Sequence, residues 1–392
     1  MNILFLTQRV PYPPNKGDKL RAFHTLKYLS KNHQVHLMSL CDNSDDLAFR
    51  DILLEYCESV VFCSIHPWFQ RLLSPLAILF LKPFTLFYFY SRSLQKKVNE
   101  LLKSGTIDMV YVYCSSLAPY CLHTDHVKKV IDFVDVDSDK WKQYAHSVSF
   151  PLRYVYRYEY WALKRFEQTI SRAFNGGIVV AEPEKLLLEK YCKDFPIVAI
   201  PNGVDIDFFT YQYKKPEPYI IFTGNLDYYP NVDAVLYFCK EIWPKILVKK
   251  PNLKFRVVGR NPDQVIIALN GKDNVELCAD VADIRPWVKH AMVSVAPMRI
   301  ARGIQNKVLE AMAMGIPVVC SSMALEGLSA KTNQELLVCD NATDFANNVL
   351  KLTSNTELSE KLSKQGRKRI ELDYMWDKNL EKIEEVITNI NS

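Results

Sequence analysis

PMRIARGIQNKVLEAMAMGIPVVCSS, residues 297–322, is the stretch from which the rest of the chain is read. VSVAP (293–297) leads into it as a short apolar run, suited to a buried parallel strand. Two arginines and a glycine fill 299–304, as a strand-to-helix turn requires, and KVLEAMAM (307–314) is a run of strong helix formers. Gly315 stops the helix, Pro317 follows, and VVCSS resumes as strand. The helix N-terminus then lies at the carboxyl end of a strand, where open α/β sheets bind ligands and unpaired N–H groups attract anions. Arg299, Arg302 and Lys307 surround that end, and Glu310 follows Lys307 by one helical turn. Such a cradle suits a nucleoside diphosphate. The helix end and the cations take the pyrophosphate, and Glu310 accepts the two ribose hydroxyls.

Outward from this unit, strands alternate with helices along the whole chain. NILFLTQ, VHLMSL, VVFCS, MVYVYC, VIDFVDV, GIVVA and IVAI read as strands of a first half. At IPNGVD (200–205) the chain turns at an Asn-Gly dipeptide. The pattern restarts with YIIFTGN, KFRVVGR, VELCAD, VSVAP, PVVCSS and ELLVCD. Strand–helix alternation argues for parallel sheets covered on both faces. The length, 392 residues, suffices for two such domains.

Residues 297–319 resemble the donor-binding signature of the GT-B glycosyltransferases of family 4, a glutamate, seven residues, a second glutamate, then A-M-A-x-G-x-P-V-V. Glu310 occupies the second glutamate, followed by Ala311, Met312, Ala313, Gly315, Pro317, Val318 and Val319. The first glutamate falls at Arg302, which keeps an anion site and changes the sugar contacts. The run R-x-G-I-Q-N-K-V-L-E-A-M-A resembles the exopolysaccharide-associated branch found with the PEP-CTERM sorting system. P-N-G-V-D at 201–205 matches the family's entry into its second domain. The resemblance implies two doubly wound Rossmann-like domains facing across a cleft. The expected divisions are 1–199 for the acceptor, 200–372 for the donor, and a final helix in 373–392 packing back on the first domain.

The resemblance also distributes roles. Gly17, in the loop QRVPYPPNKGDKLR (8–21), would let backbone approach donor phosphate or acceptor, with Lys19 and Arg21 adding charge. Asp137, in IDFVDVDSDKW (131–141), would contact the acceptor, although Ser138 or Asp139 here could equally cap the next helix. Gly224 matches the family's phosphate loop, while Asn225 and PNVDAV depart from it and remove its two basic residues. Phosphate charge then falls to Arg299, Arg302 and Lys307, with Gly303 beside them as a further donor-binding residue. Val281 and Arg285 lie where the family packs the nucleobase. The family retains anomeric configuration and needs no metal or cofactor. The carboxylates at 135, 137 and 139 lack the later glycine and glutamate of a calcium loop.

The function implied is transfer of a sugar from a nucleoside-diphosphate sugar to a glycan or lipid-linked acceptor. A nucleotide-sugar 2-epimerase and a non-catalytic nucleotide-sugar-binding protein are the alternatives. Ten cysteines stand singly, without C-x-x-C, as expected of reduced thiols in a cytosolic protein, and NILFLT is too short for a secretory signal. Residues 1–200 hold 25 Lys and Arg against 20 Asp and Glu, and residues 201–392 hold 24 of each, so the whole excess of +5 lies in the first half. No nucleic-acid motif accompanies it. The stretch 68–97 is strongly apolar and aromatic, but Ser74, Pro75, Lys82 and Pro83 interrupt it before a membrane span accumulates. It is read either as buried helices or as an interfacial surface flanked by Arg92, Lys96 and Lys97, and RYVYRYEYWALKRF (153–166) carries the same two readings. The interfacial reading places the protein peripherally on the inner face of the plasma membrane.

Overall fold

Continuous apolar runs set the architecture. Ile3–Leu6 and Met109–Tyr113 are buried throughout, which only a strand covered on both faces permits. The computed structural model describes residues 1–14, 17–211, 215–301 and 303–391. The chain divides into two compact units. One joins Met1–Ile200 to Leu380–Ser392, and the other is Pro201–Asn379.

The first unit holds β1 (Asn2–Thr7), β2 (Gln34–Cys41), β3 (Ser59–Ser64), β4 (Met109–Tyr113), β5 (Lys128–Val134), β6 (Gly176–Val179) and β7 (Ile197–Ala199). They form one parallel sheet in the order β3-β2-β1-β4-β5-β6-β7. The order reverses between β1 and β4. Arg21, fully buried, donates to Asp132 on β5 at 2.8 Å and to the Ile200 carbonyl at 2.9 Å. The helix Trp376–Asn391 ends in this unit. Its Glu384 lies 3.0 Å from His33, and Ile390 covers Gly176, where an added Cβ would approach its side chain to 2.8 Å.

The second unit holds β8 (Tyr219–Asn225), β9 (Lys254–Arg260), β10 (Val275–Ala279), β11 (Val293–Ala296), β12 (Val318–Cys320) and β13 (Leu337–Val338), parallel and ordered β10-β9-β8-β11-β12-β13. Its order reverses between β8 and β11. Phe238, Trp243, Phe255 and Phe345 fill the core on one face, with Phe238 and Phe255 at 4.4 Å. P-N-G-V-D ties the start of this unit to its end. Val204 N–H donates to the Tyr374 carbonyl at 2.7 Å, and Asn379 reaches the carbonyls of Pro201 and Asn202. Gly203 is required here, because a Cβ would stand 2.5 Å from the Trp376 backbone nitrogen.

All thirteen strands read from the sequence are present. The stretch 68–97 is buried in part and exposed in part. Leu86, Leu94 and Val98 are buried, whereas Trp68, Leu72 and the run Ile78–Leu81 are exposed. No helix among the described residues is long and apolar enough to cross a membrane.

Candidate functional site

In each unit the reversal of strand order opens a crevice at the carboxyl ends of two neighbouring strands, the general ligand position in open α/β sheets. In the second unit these ends are Gly224–Asn225 on β8 and Ala296 on β11. Gly224 pairs in register with Gly259 of β9, and the two backbones are so close that a Cβ on Gly259 would fall 1.8 Å from the Gly224 carbonyl oxygen. A Cβ on Gly224 would meet Asn231 at 2.8 Å. Asn231, in the first turn of the helix Tyr229–Tyr237, donates to the Asn225 carbonyl at 2.8 Å and accepts from Lys307 Nζ at 2.5 Å. Lys307 also lies over the Phe222 ring at 4.5 Å.

Lys307 stands in the first turn of the helix Asn306–Ala313, whose N-terminus carries no side-chain cap. Val308 and Leu309 N–H donate to the Gln305 carbonyl, and the N–H groups ahead of them are of the kind that attracts anions. Asn306 accepts from Asn202 at 3.2 Å, so the P-N-G-V-D turn braces this helix start. Gly303, just before, is buried and has φ +61°, a left-handed conformation that glycine takes without strain. Lys307 and Glu310 are both half-buried. Burial lowers the lysine to about 7 and raises the glutamate to about 7, and each partly offsets the other's shift. Among the described residues no carboxylate lies within ion-pair distance of Lys307, and Glu310 accepts no hydrogen bond.

The other cations expected at this site are already matched. Arg299 is bidentate to Asp233, at 3.0 and 2.5 Å, and stacks over Tyr237. Arg285 is held by Asp283 at 2.8 Å and lies on the Phe208 ring, and Val281 is half-buried against the core. The Arg299 pairing has no local sign, because Asp233 is 66 residues away, whereas Asp283 stands two residues from Arg285. Arg302 lies outside the described residues. Asn231 and Asp233 are the site residues that sequence reasoning missed. The departure PNVDAV contained both, read only as the loss of two basic residues.

In the first unit the reversal lies beside the ends of β1 and β4, and β5 ends next to them. Gly17 opens the helix Gly17–Leu29 and is exposed. Lys19 and Arg21 add no free charge there. Lys19 is paired with Asp46 at 2.6 Å and Arg21 with Asp132, all four side chains being buried. Asp137 follows β5, half-buried, and accepts from Ser115 Oγ at 2.8 Å. Two non-glycine residues with positive φ flank it: Cys114 at +75° after β4 and Val134 at +65° closing β5. For a β-branched residue this is real strain, of the kind that clusters at functional sites. Among the described residues no three His, Cys, Asp or Glu side chains gather as a metal group, and Asp139 instead contacts Gln143.

The helix Asp137–Ser147 is capped from outside. Ser138 donates through its N–H (3.0 Å) and hydroxyl (2.7 Å) to Glu167, and Val136 N–H donates to Glu184 at 2.7 Å. Neither Ser138 nor Asp139 caps it through its own side chain. Tyr191 adds a third donor to Glu167. Burial still raises Glu167 to about 7 from an ordinary 4.5. Between those values the folded chain binds the proton and the unfolded chain does not, so stability falls as pH rises through that window. The full separation corresponds to about 3 kcal/mol. Glu159, Asp135 and Asp137 shift the same way, also by burial. The thermal midpoint is therefore expected to be higher at about pH 5 than at about pH 8, and Glu167→Gln should flatten that slope. An unchanged slope in scanning calorimetry would remove Glu167 as its source.

Residues 217–355 match the family described as "Glycosyl transferases group 1". The whole chain superposes on sucrose-phosphate synthase from Thermosynechococcus elongatus with a TM-score of 0.75 at 13% identity, covering 100% of this chain and 99% of that one. HepE from Anabaena, solved with UDP and with UDP-glucose, gives a TM-score of 0.68 at 15% identity over 99% of this chain and 100% of its own. The chain has the GT-B fold, and its segment 217–355 is similar to the group 1 glycosyl transferases. An uncharacterized 44.6 kDa protein in the cps region of Klebsiella pneumoniae is 20% identical over 376 residues, 90% of this GT-B chain and 91% of that protein. The matched segment contains Gly224, Asn231, Asp233, Arg299, Lys307 and Glu310, and Asp137 lies outside it.

Proposed function

We propose that the chain is a retaining, metal-independent glycosyltransferase. It moves a sugar from a nucleoside-diphosphate sugar to a hydroxyl of a glycan or lipid-linked acceptor. Its place is exopolysaccharide or cell-envelope glycan synthesis at the inner face of the plasma membrane. The observation that carries this reading is Lys307. It is a half-buried cation at an uncapped helix N-terminus, with no carboxylate partner among the described residues and with Glu310 one turn away. A diphosphate supplies the missing counter-charge. Helix N–H groups and the ammonium then stabilise the departing diphosphate, the role a divalent cation fills elsewhere. Glu310 accepts the ribose hydroxyls, and Asp137 contacts the acceptor. HepE, crystallised with UDP-glucose, and the cps-region relative support the donor class and the pathway setting.

The test uses a panel of nucleotide sugars with the purified chain. Diphosphate release should require acceptor, persist in EDTA, and give a product whose anomeric configuration by NMR equals the donor's. Release without acceptor, or activity lost in EDTA and restored by Mn²⁺, would overturn it. Glu310→Ala should weaken nucleoside diphosphate binding at least about tenfold, since a charged hydrogen bond contributes about 1.5–3 kcal/mol. Its fold should persist, because among the described residues no hydrogen bond to the glutamate side chain holds the structure. Calorimetry with equal affinities for the two chains would reject the ribose role.

A further inference from the structure

The first unit carries an apolar face that its own fold leaves uncovered. Leu79 is 76% exposed, Trp68 70%, Phe80 64% and Leu81 63%. A second exposed group, Phe150, Leu152, Tyr154 and Val155, lies at and before the start of the helix Leu152–Ala173. The two groups belong to one surface. The Tyr158 hydroxyl donates to the Lys82 carbonyl at 3.0 Å, the Phe84 and Tyr158 rings are 5.1 Å apart, and buried Glu159 accepts from the backbone N–H groups of Phe84 and Thr85.

Charge distinguishes this face from a chance exposure. No Asp or Glu occurs between Glu58 and Glu100, or between Asp139 and the buried Glu159. Arg71, Lys82, Arg153 and Arg157 are exposed within the same two segments. The shape of the tip selects among occupants. Ile78, Leu79 and Phe80 end a 3₁₀ turn, so these three consecutive apolar side chains point to three different sides, and exposed Leu81 follows them. A rigid protein groove receives one side of such a turn. Liquid hydrocarbon solvates all sides at once.

We propose that this face docks on an anionic lipid bilayer, its tip at 78–81 entering the acyl boundary and its basic residues resting among the head groups. This deepens the membrane placement proposed above and rests on no part of the transfer site, so the two are tested separately. Full-length protein is sedimented with vesicles of phosphatidylcholine alone and of phosphatidylcholine with phosphatidylglycerol. Binding is expected to the second and to weaken with salt. The double change Leu79→Ser with Phe80→Ser should lower vesicle binding at least about tenfold, as should Arg153→Glu with Arg157→Glu. Both variants should keep wild-type thermal midpoints and wild-type UDP affinity, which separates loss of docking from loss of fold or of the donor site. Binding unaltered in both variants would overturn the proposal. So would absence of vesicle binding in the wild type, or a dimer in solution that Leu79→Ser with Phe80→Ser disperses, which would assign the face to a second copy of this chain.

Discussion

Lys307→Met is expected to slow transfer by about 10²–10³-fold, the usual loss when one preorganised stabiliser of developing charge is removed. The structural basis is the contrast among cations. Arg285, Arg299, Lys19 and Arg21 each have a carboxylate at ion-pair distance, and among the described residues Lys307 has an amide oxygen, a thioether and an aromatic face instead. The thermal midpoint of Lys307→Met should not fall, because methionine removes an uncompensated charge and keeps most of the volume. Wild-type turnover in this variant would end the assignment of Lys307 to the leaving group. The same lysine gives binding a pH signature. In the free protein burial lowers it to about 7, and a bound diphosphate restores its charge. Nucleotide-sugar binding above that value should therefore take up a proton and weaken with rising pH. The uptake is read from binding enthalpies in buffers of different ionisation heat, and enthalpies that do not depend on the buffer would contradict it.

Gly259→Ala should have the largest effect on folding. The new methyl would sit 1.8 Å from the Gly224 carbonyl oxygen, a backbone atom that cannot swing aside. Relief requires β8 and β9 to part at the end where Gly224 and Asn225 enter the site. Overpacking of well-packed interiors commonly costs about 1–3 kcal/mol. A collision with paired backbone should cost at least the upper part of that range and should abolish the nucleoside-diphosphate binding proposed above. A soluble Gly259→Ala chain with the wild-type midpoint and affinity would show that the strands can part freely.

The strands and their order of appearance were legible because buried parallel strands are written as local apolar runs. Glu310 and Lys307 were legible for the same reason, being fixed by spacing along one helix. What escaped was set by distant pairing. Arg299 and Asp233 are joined only when the helix Tyr229–Tyr237 packs beside β11's end, and Ser138 finds Glu167 only across two helices. A single sequence records the charges at those positions and not which of them neutralise each other. The strain at Cys114 and Val134 had no local sign either, since glycine or asparagine is the residue that announces a positive φ.

The allocation of the helix Trp376–Asn391 bears on synthesis. Residues 201–379 form one uninterrupted stretch, so the second unit can complete its fold as soon as that stretch has left the ribosome. The first unit cannot, although its sheet is made first. His33 waits for Glu384, and Gly176 on β6 stays uncovered until Ile390 arrives. A chain stopped after Asn379 would hold a finished second unit and an unfinished first one. During translation the half made earlier is the half completed later, and the sheet face around Gly176 is the surface a chaperone would meet.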